Sequence, residues 1–236
     1  MSTSIKGAVV AITGANGGLG QEFVAQALER GATKVYATAR SPREWDDPRV
    51  VALPLDVTDQ QSIDAVALAA ADATLVINNA GIGLANNSLT TGSSADIRQM
   101  FDTNFFGAIE VARAFAPILG ANGGGALIDV HSVLSWVGVG GSYSAAKAAF
   151  WSATNSFRIE LAPQGTHVLG LHMGWVDTPM AAAVDVPKLD PADVVRAGYD
   201  GLESGVYEVV VDDFTAQVKQ LLSGSIEDLY TDLPRR

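Results

Sequence analysis

Short apolar, β-branched runs alternate with helical patterns along almost the whole chain, and this alternation restricts the possible folds more than any other feature. The first run, AVVAIT (Ala8–Thr13), is apolar on both faces, as a strand covered by helices on both sides has to be. QEFVAQALER (Gln21–Arg30) then has the spacing of an amphipathic helix. The strand pattern returns in KVYATA (Lys34–Ala39), VVALPL (Val50–Leu55), ATLVINN (Ala73–Asn79), GALIDVHS (Gly125–Ser132), HVLGLHM (His167–Met173) and VYEVVV (Val206–Val211). Helical patterns fall at QSIDAVALAAA, from about Ala95 to Leu119, from Tyr143 to about Leu161, and after Asp190. There an N-cap aspartate followed by Pro191 marks a helix start. Such an order builds parallel strands joined by crossover helices. The expectation is one α/β domain over residues 1–236, doubly wound, with a mostly parallel sheet of about seven strands flanked by helices. ANGGGA (Ala121–Ala126) is a turn, too short to divide it.

Composition removes several classes of function. Apolar residues make up 48% and charged residues 17% of the chain, which allows a sizeable core. With 26 acidic against 15 basic residues, the net charge of −11 opposes binding to nucleic acid or to an anionic membrane surface. The chain has no cysteine, so disulfides and thiolate metal sites are excluded; His131, His167 and His172 have no metal-ligand spacing, so no metal is expected. No apolar run is long enough to span a bilayer, and MSTSIKGAVVAITG lacks the apolar core of a signal peptide. These features predict a soluble cytoplasmic protein whose partner is a small molecule.

TGANGGLG (Thr13–Gly20) joins the first strand to the first helix. Gly14, Gly18 and Gly20 allow a tight turn and close backbone approach to a pyrophosphate. The helix start presents N–H groups and a partial positive charge to that anion. Position between strand and helix is what separates a dinucleotide cradle of the Rossmann type from an ordinary glycine turn. Asn16, Gly17 and Leu19 complete the loop as candidate cofactor contacts.

From this point the sequence resembles the short-chain dehydrogenase/reductase family over nearly its whole length. TGANGGLG resembles the family's TGxxxGxG loop. Asp56 and Val57 in DVT resemble the acidic element that follows strand three and contacts adenine, and Asn79, Ala80 and Gly81 belong to an NNAG signature. Asn104 in TNFFG, Ser132 at the end of strand five, and YSAAK (Tyr143–Lys147) fall where the family has its catalytic asparagine, serine and YxxxK motif. Gly174, Val176 and Thr178 match a PGxVxT segment that contacts nicotinamide, with Met173 in place of the proline. Ser132 precedes Tyr143 by 11 positions, two fewer than the usual family spacing, and Ser135 and Ser142 stand as rivals for the serine role. The resemblance implies an NADPH-dependent carbonyl reductase, reversible as a secondary-alcohol dehydrogenase, assembled as a homo-oligomer, a tetramer in the usual case. A nucleotide sensor without catalysis and an isomerase or epimerase are the alternatives on the same fold.

The chemistry suits the residue types. Ketone reduction needs a hydride on carbon and a proton on oxygen, and a tyrosine can give that proton. Its ordinary pKa near 10 is high for neutral pH, and a lysine one helical turn away is expected to lower it. Tyr143 is thus the candidate acid and base, Lys147 its tuner and, by resemblance, a ligand of the nicotinamide ribose; Ser132 would hold the substrate oxygen. Asn104 would anchor a water that relays protons to Lys147, or else bond the backbone as an ordinary mid-helix asparagine. Trp136 and Trp175 either wall a substrate pocket or pack in the core, whereas His131 and His172 read as core. Phe150, Trp151 and Phe157 read as a packed helix face or a subunit contact, with Phe105 and Phe106 as further apolar candidates.

An acidic residue about 20 positions past the glycine loop would bond the ribose 2′-hydroxyl of NAD. Here the strand end carries Ala39, and Arg40 follows, whose guanidinium can pair with a 2′-phosphate. NADP(H) is therefore expected to be preferred, with NAD(H) used less efficiently.

Overall fold

A computed structural model describes residues 3–230 of the chain. Seven strands form one sheet: β1 Val9–Thr13, β2 Lys34–Ala39, β3 Val50–Pro54, β4 Leu75–Asn78, β5 Ala126–Val130, β6 His167–His172 and β7 Glu208–Val210. All neighbours are parallel, in the order β3-β2-β1-β4-β5-β6-β7. The observed strands are the seven expected ones, trimmed by a residue or more at most ends.

The uniformly apolar strands divide their side chains between two cores. Val10 and Ile12 of β1 pack with Phe23, Val24 and Ala27 of α1 (Gly18–Glu29) and with Val194, Tyr199 and Leu202 of α6 (Pro191–Ser204). Ala11 points the other way, to α2 (Gln60–Ala69), α4 (Ala108–Ala121) and α5 (Ser142–Glu160). Alternation along a strand therefore feeds both faces, which is why no polar period appears in these segments.

Caps set most helix starts. Asp59 caps α2, Ser93 caps α3 (Ser94–Phe101), Asp190 caps α6 ahead of Pro191, and Asp212 caps α7 (Asp213–Leu221). A short α8 (Ile226–Leu229) follows. Neither α7 nor α8 is expected from the periodicity above. The long helix expected from Ala95 to Leu119 is three pieces: α3, a π-helical turn over Asp102–Gly107, and α4. Among the described residues no helix is long and apolar enough to cross a membrane.

Order reverses between β1 and β4, and the loops leaving the carboxyl ends of β1 to β6 gather there. A crevice at that place is the topological consequence of a doubly wound sheet.

Candidate active site

The crevice is an open cleft of about 2110 Å³, and it brings most of the candidate residues together. Gly14, Asn16, Gly17, Gly18, Leu19, Gly20, Arg40, Asp56, Val57, Asn79, Ala80, Gly81, Ser132, Tyr143, Lys147, Gly174, Trp175, Val176 and Thr178 all line it. Asn104 and Trp136 do not.

At the first turn the glycines are needed for contact as well as for conformation. Gly14 has φ of +68°, and a Cβ there would sit 3.0 Å from the Cα of Ala80. A Cβ on Gly20 would sit 2.2 Å from the carbonyl oxygen of Gly14, and one on Gly18 would sit 2.7 Å from Cγ2 of Thr178. Gly17, by contrast, would meet nothing closer than 3.5 Å. It is the N-cap of α1 and no side chain closes that helix start, unlike α2, α3, α6 and α7. Free amide donors beside an open glycine fit a pyrophosphate.

The Thr13 hydroxyl ties this turn to NNAG. It accepts from the backbone N–H groups of Asn79 (3.0 Å) and Ala80 (2.9 Å), while the Asn79 amide donates to the carbonyl of Thr13 at 2.9 Å. Asn16 donates to the carbonyl of Ser41 at 2.7 Å, fixing the segment that carries Arg40. Arg40 is exposed at the cleft edge. Across from it, the Asp56 carboxylate accepts from the N–H (2.9 Å) and hydroxyl (2.7 Å) of Thr58, and these bonds hold it below the usual carboxylate range. Ser41 also lines the cleft; the sequence reading gave it no part.

Ser132 follows β5 by two residues instead of ending it. The ladder nevertheless continues, with the N–H of His131 donating to Leu171 at 2.8 Å and that of Val133 to Met173 at 2.8 Å. Its hydroxyl accepts from the N–H of Leu134 at 3.2 Å, which leaves the hydroxyl proton for a substrate oxygen. Ser135 and Ser142 are buried and do not line the cleft, so the geometry separates Ser132 from its rivals. The shortened loop is held from outside: the hydroxyl of Tyr230, just after α8, accepts from the N–H of Gly138 at 2.7 Å.

Lys147 is buried on α5 and donates to the carbonyl of Val130 at 2.8 Å, with Nζ 5.9 Å from the centre of the Tyr143 ring. Burial pushes the ammonium down to about 8, against the pull of the Asp129 carboxylate. It also pushes the Tyr143 phenol up to about 12. This corrects the expectation that Lys147 lowers the tyrosine: in the protein alone, removal from water outweighs an ammonium that is already bonded to Val130. Beneath them lies a polar column that the sequence reading did not pick out. Asp129, wholly buried, accepts from Asn78 Nδ2 (3.1 Å) and Thr154 Oγ1 (2.7 Å), and burial raises it to about 6.

Asn104 is placed as the backbone-bonded alternative. Its Oδ1 accepts from the N–H of Ile82 (2.8 Å), and its Nδ2 donates to the carbonyl of Ile82 (2.9 Å) and to Met100 Sδ (2.9 Å). A Cβ on Gly81 would sit 3.1 Å from its Oδ1. The side chain thus supports NNAG and has no donor left for a relay water. It sits on the π turn, a distortion that often marks functional sites.

Trp136 is corrected as a substrate wall. It is buried, stacks on His172 with ring centres 4.2 Å apart, and meets Trp151 edge-on at 6.2 Å. His172 in turn stacks on His131 at 4.7 Å, and His131 Nε2 lies 3.0 Å from Thr154 Oγ1. Burial keeps both imidazoles neutral, holding His172 down to about 3. Trp175 is partly exposed and faces the cleft. Its loop is fastened by Asp212, whose Oδ2 accepts from the N–H of Gly174 at 2.8 Å.

A family model described as short chain dehydrogenase matches residues 8–188. The ketoacyl reductase HetN of Nostoc sp. (strain PCC 7120) is 29% identical, covering 89% of this chain and 80% of its own length. A short-chain dehydrogenase from Burkholderia cenocepacia J2315, solved in complex with NADP, has a TM-score of 0.93 at 36% identity, covering 99% of this chain and 100% of that one. A short-chain dehydrogenase from Streptomyces avermitilis has a TM-score of 0.82 at 25% identity, covering 97% and 96%.

Proposed function

This chain belongs to the short-chain dehydrogenase/reductase family of oxidoreductases, and from that premise we propose that it is an NADPH-preferring carbonyl reductase that runs in reverse as a secondary-alcohol dehydrogenase. The observation that carries the reading is that the glycine turn and the Ser132, Tyr143 and Lys147 side chains line one cleft.

When bound, the nicotinamide supplies the hydride that goes to the carbonyl carbon. The remaining work belongs to this chain. Ser132 donates a hydrogen bond from its free hydroxyl to the substrate oxygen, keeps its proton, and fixes the oxygen's position. A phenol raised to about 12 is fully protonated at neutral pH, so Tyr143 stands ready to give the oxygen its proton. An ammonium near 8 is still mostly charged at pH 7; it has two N–H groups beyond the one given to Val130, and these serve the ribose and the phenolate left behind. Any part of Asn104 in a proton relay falls to its main chain, because its amide is committed.

The NADP preference rests on Ala39 at the end of β2 and on Arg40 beside it at the cleft edge. The complex of the Burkholderia cenocepacia relative with NADP supports it. Assembly as a homo-oligomer, a tetramer by family resemblance, is supported by the ring ladder Phe101–Phe105–Phe106, which leaves Phe106 exposed. Phe150 and Phe157 are buried and are not available to such a contact. A monomer mass by light scattering at micromolar concentration would remove this extension.

The test is NADPH consumption across a panel of ketones, in the parent and in Tyr143→Phe. Steady consumption by the parent is expected, and the variant should lose about two to four orders of magnitude in turnover with NADPH affinity nearly unchanged. NADPH binding without turnover on any ketone would favour a sensor; near-normal turnover in the variant would move the proton to another group.

A further inference from the structure

Exposed apolar side chains are ordinary when scattered and informative when gathered. Leu89, Val139, Trp175, Met180 and Phe214 are 46–74% exposed, come from four separate segments, and all line the cleft. Trp175 and Phe214 also line a recess of about 350 Å³ with Val186, Pro187 and Leu189, so the two aromatics stand between the cleft and a second space. Their relation is fixed. Asp212 accepts from Gly174, next to Trp175, and also from the N–H (2.9 Å) and hydroxyl (2.8 Å) of Thr215, next to Phe214. One carboxylate therefore pins the loop after β6 to the first turn of α7. Lys188 is the recess's only cation among the described residues, and Asp212 is spent on the clamp.

We propose that the substrate carries a long or aromatic apolar group beside its carbonyl, gripped by Trp175 and Phe214 and continued into the recess behind them. The proposal rests on carbonyl reduction as the reaction, because the same cleft holds Ser132 and Tyr143. The five apolar side chains line the same cleft as the Ser132 and Tyr143 hydroxyls, so an apolar group extending from the reacting carbon has a wall in that cleft to cover. Carbonyl compounds with compact, charged neighbours would leave these five side chains in water.

The experiment measures 2-alkanones from butan-2-one to decan-2-one in two ways. Calorimetry gives Kd on protein saturated with NADP⁺, where no turnover occurs, and kcat/KM is measured with NADPH. Each added methylene should tighten Kd and raise kcat/KM about two- to fourfold. Phe214→Ser should flatten that slope for the longer ketones; Met180→Ser, on a separate segment, should flatten it less. A flat series in the parent, a slope unchanged in both variants, or tighter binding of 2-keto acids than of alkanones of equal length would overturn the proposal. Ketones that bind with the slope but are never reduced would overturn carbonyl reduction and leave the apolar wall standing. Ketones reduced with no slope would do the reverse, and neither binding nor reduction would remove both.

Discussion

At the glycine-loop end of the cleft the walls are backbone: Gly20 approaches the Gly14 carbonyl within a distance no side chain would permit, Gly14 packs tightly on Ala80, and the hydroxyl of Thr13 and the amide of Asn79 stitch the turns together. At the other end the walls are side chains, Leu89, Val139, Met180, Trp175 and Phe214, standing partly in solvent on three loops and the first turn of α7. The first end recognises a ligand by shape that only certain residues allow. The second recognises one by oiliness, which many residues provide. A wall of the first kind should fail abruptly when altered, and one of the second kind by degrees.

Gly20→Ala tests the abrupt side most severely. Its Cβ would meet the Gly14 carbonyl at 2.2 Å and the Cα of Ala15 at 2.7 Å, both backbone atoms. Overpacking of this sort costs about 1–3 kcal/mol or more, and at about 2–4 °C per kcal/mol for a chain of this size Tm should fall by several degrees. Gly17→Ala has room for its Cβ, so Tm should hold while NADPH binding weakens by about tenfold or more through loss of close approach to the pyrophosphate. Thermal melts and cofactor titrations that rank the two variants alike would erase the contrast.

Arg40→Ala is the intermediate case, because a side chain acts here at the backbone-built end. A charge-assisted contact is worth about 1.5–3 kcal/mol, so NADPH should bind about 10- to 100-fold more weakly and NADH nearly as before. Equal losses for both cofactors would assign Arg40 to the fold instead of the 2′-phosphate.

Tyr230→Phe is the mildest. It removes the acceptor for the N–H of Gly138, a group that water can reach, at a cost of about 0.5–1 kcal/mol. The loop between Ser132 and Tyr143 loosens, and kcat should fall about two- to fivefold with the KM for NADPH unchanged. A change in KM for NADPH with kcat intact would show that the strap serves the cofactor end.

The same contrast explains what could be read in the letters of the chain. Glycine spacing after a β-branched run, a YxxxK pair on a helix, and alanine followed by arginine at the end of β2 are local, and each carries its own stereochemical reason. The π turn at Asp102–Gly107 has no such mark, because Thr103–Phe106 continue an ordinary helical pattern and the extra residue is accommodated only by packing, with Gly107 against Val57. The upward shift of Tyr143 is hidden for a related reason: one helical turn to Lys147 is visible in the sequence, whereas the removal of water and the bond from Lys147 to Val130 are products of tertiary structure. Trp136 and Trp175 look alike as letters, and the stacking of one on His172 could not be foreseen. For α7, neither the cap by Asp212 nor its second bond, to Gly174 38 residues away, is read from the sequence.

The bond between Tyr230 and Gly138 spans 92 residues. A ribosome adding about 5–20 residues per second needs roughly 5 to 18 s to go from one to the other. During that interval β5, Ser132 and α5 have left the machinery while the loop between the serine and the tyrosine waits for its fastener. A chain interrupted shortly before residue 230 would hold the glycine turn, Ser132, Tyr143 and Lys147 but lack the fastener of the loop between the serine and the tyrosine.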